Sequence, residues 1–225
     1  MSQKMKGLIF NRNVSCDPIL HEDLPKPSIS SDHALIKVTR AGICATDLEI
    51  IQGYKDGFKG ILGHEFVGIV EDVDGANYLK QKWINQRVVG EINIYCNECQ
   101  ICLQTKCHDL KRNHCPNRTC LGIIGKNGAF AEYITLPTQN LYIVPETISD
   151  AHAVFVEPLA AAYRIIEQDV INEKDNVCII GDGKLGLLTA EVLVHELYKE
   201  ISISMIGKHL DKLSLGAKIV KCFIL

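Results

Sequence analysis

The sequence predicts a mixed fold in two parts, a β-rich part over residues 1–153 and the opening portion of a parallel α/β sheet over 154–225. Three observations point there. Short apolar runs separated by scattered Gly and Pro fill the first part. A strand–helix–strand succession takes over near residue 154. Between its first strand and its long helix stands GDGKLG (181–186), a glycine-rich turn.

Taken in order, ALIKVTRAGI (34–43) is a strand, and TDLEIIQG (46–53) is a short helix ended by its glycine. ILGHEFVGIVEDV (61–73) is a loop running into a strand, with Phe66, Val67, Ile69 and Val70 bunched together. QRVVGEINIYC (86–96) and AFAEYITL (129–136) are further strands. VEPLAAAYRIIEQ (156–168) is a helix with Pro158 near its start, where a missing N–H does no harm. NVCII (176–180) is a short buried strand, KLGLLTAEVLVHELYK (184–199) a helix and ISISMIG (201–207) a second strand. HLDKLSLGAKIV follows, and the closing KCFIL reads as an exposed apolar tail.

With 225 residues, 47% of them hydrophobic and 23% charged, the chain can bury a real core. A net charge of −3 offers no basic surface to nucleic acid or to anionic membranes. No apolar run is long enough to span a bilayer, and MSQKMKGLIFNRN has too short an apolar stretch for a signal peptide. Neither nucleic-acid nor membrane partners are expected. A reducing, cytoplasmic setting is expected, where clustered cysteines more often bind metal than form disulfides.

Six of the ten cysteines fall in CNECQICLQTKCHDLKRNHCPNRTC (96–120). Cys96, Cys99 and Cys102 are spaced C-x2-C-x2-C, and thiolates so placed in a tight turn converge on one Zn²⁺ at about 2.3 Å. Cys107, Cys115 and Cys120 are the sulfur candidates for a fourth ligand, with His108 and His114 as nitrogen alternatives. Cys107 would require a sharp fold-back, whereas Cys115 follows a longer loop that is free to return. Four thiolates leave no open position, so such a site is structural. The bland alternative, a set of unrelated buried thiols, fits three evenly spaced cysteines poorly.

A second constellation is scattered over GICATD (42–47), GHE (63–65) and VEPLA (156–160). Each piece alone is ordinary. Together they offer one thiolate, one imidazole and two carboxylates. A catalytic zinc takes three protein ligands and keeps one position open. Cys44, His64 and Glu157 can supply the three, with Glu65 in the outer shell or exchanging. One thiolate and one carboxylate neutralise Zn²⁺, which still lowers the pKa of a bound alcohol or polarises a carbonyl. Thr46 is placed to carry a proton between that oxygen and solvent, and Asp47 to hold a ligand imidazole in one tautomer.

The order GICATD, GHEFVG, the cysteine lobe, EPLA and GDGKLG resembles the zinc-dependent medium-chain dehydrogenases, the alcohol dehydrogenase-like family. The resemblance covers essentially the whole chain. It implies a chaperonin-10-like β-barrel catalytic domain (1–153, with a structural zinc lobe at about 96–120), followed by the first part of a Rossmann domain (154–225). It implies hydride transfer between an alcohol or polyol and NAD(P), with an alcohol or carbonyl compound as substrate. Glu157 stands where many alcohol dehydrogenases have Cys, which resembles the polyol and sugar branches, whose carboxylate acts directly or through water. The family's usual spacing puts the fourth structural ligand at Leu110, which cannot bind. HCPNRT resembles the segment around that ligand, so Cys115 is expected to serve, after an insertion that includes Cys107. Cys107 remains the rival, and Cys120 is expected to be a free thiol. A slightly longer loop adds only tenths of a kcal/mol of closure entropy.

In GDGKLG, Gly181 permits the tight turn, Gly183 lets a pyrophosphate approach the backbone and Gly186 packs helix on strand. Lys184 and Leu185 complete the loop at the helix N-terminus, whose partial positive charge favours phosphate. NAD-binding sites carry an acid at the end of the second strand. Here that strand ends MIGKH, with Gly207 at the acid's place and Lys208 after it. A cation beside an open space suits a 2′-phosphate, so NADP(H) is favoured over NAD(H); a solvated loop lysine is the ordinary alternative. Asp211 is also within reach of a ribose.

The pattern breaks off at its end. A complete dinucleotide fold has about six parallel strands, and two are legible here. At roughly 30 residues per unit, about 100 residues are expected to be missing. In the family these complete the sheet, form the nicotinamide pocket and make the main dimer contact. The expected consequences are an exposed strand edge and weak dinucleotide binding. Two functions follow: a zinc-dependent oxidoreductase, or a truncated, non-catalytic zinc-binding remnant or partner-binding protein.

Overall fold

In the computed structural model the described residues are 3–54, 57–106, 113–172, 174–197 and 201–225. Contacts divide the chain into two units, Met1–Glu157 and Pro158–Leu225.

The first unit is built on antiparallel sheets. Five strands run in the order β10 (Tyr133–Pro137), β3 (His33–Gly42), β5 (Glu65–Val73), β6 (Arg87–Gly90) and β11 (Leu141–Ile143). The bunched apolar residues at the start of β5 follow from its central place, since Glu65 to Gly68 are buried without alternation. A second sheet joins β2 (Ile19–Pro25), β1 (Lys4–Asn11) and β4 (Lys59–Ile61). The Leu8 N–H donates to Phe130 O at 2.8 Å and the Glu132 N–H to Lys6 O at 3.0 Å, so the two sheets are stitched into a barrel-like wrap. Its core gathers Ile36, Phe66, Val70, Val88, Leu121 and Leu136 with their neighbours.

Two expected strands are shorter than the sequence pattern implies. The run 86–96 splits into β6 and β7 (Asn93–Ile94). The buried Asn140 side chain donates to Glu91 O at 2.8 Å and Asn93 O at 2.9 Å, which clamps the chain where it leaves the large sheet. β7 then pairs with β8 (Thr119–Leu121), which also pairs with β9 (Gly125–Lys126). The run 129–136 becomes a ladder strand only at Tyr133. Before it, Gly128, Ala129 and Phe130 donate to Ile61, Gly63 and Leu62 carbonyls, so that stretch braces the loop ahead of β5.

The second unit is a parallel sheet in the order β12 (Asn176–Ile180), β13 (Ser202–Gly207) and β14 (Lys221–Ile224). The helix Lys184–Leu197 connects β12 to β13, and the helix Leu210–Gly216 connects β13 to β14. Ile179, Ala190, Leu193, Met205, Leu213 and Val220 form its core. Here the structure corrects two expectations. Three parallel strands are present rather than two, and KCFIL is not a loose tail. Its backbone pairs with β13 from Ser204↔Lys221 to Gly207↔Ile224, although Phe223, Ile224 and Leu225 stay exposed. β14 covers one edge of β13, while β12 pairs only with β13 among the described residues, so an exposed strand edge remains there.

Candidate functional site

Cys44 caps the helix Ala45–Gln52 in extended conformation, and its N–H donates to Asp47 Oδ2 at 2.9 Å. Asp47, only 1% exposed, also accepts the Gly63 N–H through Oδ1 at 3.1 Å. One buried carboxylate thus ties GICATD to the GHE turn. Gly63 has φ +96°, and a Cβ there would stand 2.6 Å from the Phe130 ring, so both backbone and space require glycine. The turn delivers His64, 3% exposed, with Nδ1 3.4 Å from Asp47 Oδ1. At that length the contact is electrostatic, and Nδ1 makes no formed hydrogen bond.

Glu65 is brought in by strand pairing. It stands opposite Gly42 in the β3–β5 ladder, and a Cβ on Gly42 would lie 2.2 Å from Glu65 Oε2. Ligand atoms of Cys44, His64 and Glu65 all lie within 4.8 Å of one another. Glu157, half-buried at the start of the helix Val156–Glu167, is outside this trio, although its negative charge acts on His64. The sequence expectation put Glu157 inside and Glu65 outside; the geometry gathers Glu65. Thr46 Oγ1 lies 3.7 Å from Cys44 Sγ. A hydrogen bond from His64 pulls the Cys44 thiol below its ordinary pKa against the effect of burial. Burial would lower His64, but Asp47, Cys44 and the charge of Glu157 together raise it to about 10. A site that holds a proton this firmly between a thiolate and carboxylates is a site suited to a cation.

The lobe is equally defined. Cys96, Cys99, Cys102 and Cys115 offer four sulfurs within 4.8 Å of one another. Sγ separations are 3.6 Å for Cys115–Cys96 and 3.8 Å for Cys99–Cys115. These are far beyond a disulfide's ~2.05 Å. Four ligands about 2.3 Å from one ion stand roughly 3.8 Å apart at the corners of a tetrahedron, so the spacing fits zinc. The Cys96 N–H donates to Cys115 Sγ at 3.4 Å and the Cys99 N–H to Cys96 Sγ at 3.3 Å. The Glu98 backbone N–H, chiefly, brings Cys96 down to about 6, while burial and then Cys99 push Cys102 up to about 12. Sulfurs this close cannot all ionise without a cation among them. Cys107, His108 and Leu110 lie outside the described residues; His114 is exposed, and Cys120 is buried in the barrel core, outside the four-sulfur group.

In the second unit, Gly181 has φ +120°, and a Cβ on Gly186 would sit 2.2 Å from Gly181 O, so the loop turns tightly onto its helix. A Cβ on Gly183 would meet nothing within 4 Å. Protein packing does not demand glycine there. Lys184 begins the helix, with Leu185 and Lys208 exposed. The space over Gly207 is not open. The Asp182 side chain fills it, at 2.5 Å from where a Gly207 Cβ would be. Asp182 Oδ2 accepts the Lys208 and His209 N–H groups at 2.8 and 2.6 Å, and His209 Nδ1 lies 3.0 Å from Oδ1. Neither Asp182 nor His209 was marked by sequence reasoning. The signal was available in GDG, whose middle residue is an acid where a small residue would suffice.

A barrel-like unit presenting a Cys–His–Glu cluster and a four-sulfur lobe, followed by a parallel unit with a glycine loop, defines a metal-bearing, dinucleotide-binding class of protein. Residues 30–146 match the alcohol dehydrogenase GroES-like domain, and the chain belongs to that family, the zinc-dependent medium-chain dehydrogenases. It is 32% identical over 223 residues to D-arabitol-phosphate dehydrogenase of Enterococcus avium, covering 97% of this chain and 60% of that one. It resembles a zinc-binding dehydrogenase of Sinorhizobium meliloti 1021 bound to NADP, with TM-score 0.81, 26% identity and coverage of 99% and 62%. An Escherichia coli CFT073 alcohol dehydrogenase complexed with NADH gives TM-score 0.81, 25% identity and coverage of 98% and 62%. The chain spans about 60% of the length of the curated relative. Among the described residues no helix is long and apolar enough to cross a membrane.

Proposed function

We propose that this chain supplies the zinc-binding and first coenzyme-binding parts of an oxidoreductase that moves hydride between an alcohol or polyol and NADP(H). The observation that carries the reading is the convergence of Cys44, His64 and Glu65 within 4.8 Å, from two separate sequence motifs and beside Thr46. Cys44 and His64 hold the ion, and Glu65 completes the trio. Glu157 is the exchanging carboxylate. A thiolate with one carboxylate neutralises Zn²⁺, and a second permanent carboxylate would blunt it, so one carboxylate binds at a time. Zinc supplies a Lewis acid that favours the ionised form of a substrate hydroxyl. Thr46 passes the released proton towards solvent. Asp47, fixed by the Cys44 and Gly63 N–H groups, orients His64 through Nδ1 and leaves Nε2 for the metal. Cys96, Cys99, Cys102 and Cys115 hold a second, structural zinc. A reducing, cytoplasmic setting belongs to the same reading, since thiolates must stay reduced to bind metal.

For the coenzyme, the Asp182 carboxylate is committed to the Lys208 and His209 N–H groups, Gly207 brings no acid, and the exposed Lys208 side chain remains for a 2′-phosphate. The test is a zinc count on the purified chain together with turnover on polyols, polyol phosphates and secondary alcohols, with NADP(H) and NAD(H). About two zinc ions per chain with hydride transfer supports the proposal. Zinc retained without turnover or cofactor binding leaves a non-catalytic zinc-binding remnant as the function.

A further inference from the structure

The first unit holds another polar feature, independent of the dehydrogenase reading. Lys126 ends β9, half-buried, and its ammonium donates to the Thr135 hydroxyl on β10 at 2.8 Å. Thr135 is buried. An ammonium has three donors, and this contact uses one of them. Burial lowers the Lys126 pKa with no charged neighbour opposing it. A desolvated cation without a counter-charge is a costly arrangement for a fold to keep.

Lys126 and Thr135 line a cavity of about 1000 Å³. None of Cys44, His64, Glu65 or Glu157 lines it. Among the described residues three lysines line it (Lys26, Lys59 and Lys126) and no Asp or Glu does. Lys26 is already neutralised, 3.0 Å from Glu71 and stacked 3.9 Å over the Tyr133 ring. Among the described residues Lys126 has no such charged partner. Much of the remaining wall is apolar, including Met5, Phe58, Ile123 and Ile134. A concave apolar wall around a few convergent polar groups is the common build of a small-molecule site.

We propose that this cavity binds a small organic anion, whose carboxylate or phosphate head pairs with the Lys126 ammonium beside the Thr135 hydroxyl and whose apolar body lies against Phe58, Ile123 and Ile134. The site is separate from the metal centre and takes a ligand of its own.

Benzoate and phenyl phosphate, titrated into the full zinc-loaded chain, test this by amide NMR shifts and calorimetry. At least one should saturate with shifts centred on Lys126 and Thr135, and the comparison of the two identifies the head group. Lys126→Met should weaken binding at least about tenfold, and Lys126→Arg should keep it within about threefold, because the head needs a cation. If Lys126→Met fails to fold, Thr135→Val takes its place and should weaken binding several-fold. The proposal is overturned if neither probe saturates at these residues, if the variants bind as the parent does, or if the shifts centre on Cys44 and His64.

Discussion

Asp182 and His209, 27 residues apart, are joined twice: the Asp182 carboxylate accepts the His209 N–H at 2.6 Å, and the imidazole Nδ1 lies 3.0 Å from its other oxygen. The junction exists because Gly207 has no side chain. An acid at the end of β13 could not coexist with Asp182 in the space they would share. The glycine loop after β12 and the turn after β13 are thereby locked into one surface, the surface that faces a dinucleotide in this fold.

This lock is acid-sensitive. His209, first through its side chain and then through its N–H, holds Asp182 down to about 2 from an ordinary 3.8. A depressed carboxylate contributes stability that is fully present above its unfolded pKa and is lost as pH falls through the folded one. The window is therefore between about pH 4 and about pH 2. Amide exchange at Lys208 and His209 should be slow above that window and accelerate within it. In Asp182→Asn the same amides should exchange faster at neutral pH, with little further change on acidification.

The lobe makes a sharper prediction. Cys115→Ser should leave about one zinc ion fewer per chain and loosen the lobe, because three thiolates no longer close the tetrahedron. Cys120→Ser should keep the full complement, as its sulfur sits in the barrel core. Cys107→Ser should do the same. Elemental analysis of the purified variants decides the matter, and loss of metal in Cys107→Ser but not in Cys115→Ser would reverse the assignment.

Where the chain announced itself, the cause was local. C-x2-C-x2-C, the strand over 176–180 and the helix from 184 are short-range patterns, and their boundaries were legible within a residue or two. What was hidden depends on partners distant in sequence. KCFI becomes a strand because β13 offers an edge, not because of its own pattern. The split of 86–96 is set by Asn140, about fifty residues downstream. β1 was legible only in part, since Met5 and Gly7 alternate with exposed neighbours but the next buried position is Phe10, three residues on, so the two-residue period does not run the length of the strand. At the site, the motifs put Glu157 among the ligands and Glu65 outside them. The pairing of Gly42 with Glu65 is what brings Glu65 beside Cys44 and His64.

That pairing can be attacked directly. Gly42→Ala places a methyl 2.2 Å from Glu65 Oε2 and 3.1 Å from its Cβ, so the carboxylate must move. Overpacking of this kind lowers stability by about 1–3 kcal/mol, measured by denaturant unfolding. The more telling readout is metal. If Glu65 belongs to the trio, Gly42→Ala and Glu65→Gln should both weaken zinc at the Cys44 centre while the lobe zinc stays. If Glu157 is the resident ligand instead, Glu157→Gln alone should do so.

The proposed preference for NADP(H) rests on charge rather than packing. Lys208 follows Gly207, and its side chain is exposed, with its N–H held by Asp182. A 2′-phosphate near that turn gains one exposed cation, worth up to about 1 kcal/mol. Lys208→Ala should therefore weaken 2′,5′-ADP about three- to fivefold and leave 5′-AMP unchanged. The contrast should shrink at high salt, since exposed charges are screened. Calorimetry with the two nucleotides needs only the adenosine half of the site, so it can be read on this chain whether or not hydride transfer occurs. Equal loss of both nucleotides would show that Lys208 supports the loop instead of reading the phosphate, and an unchanged affinity for 2′,5′-ADP would remove the case for NADP(H).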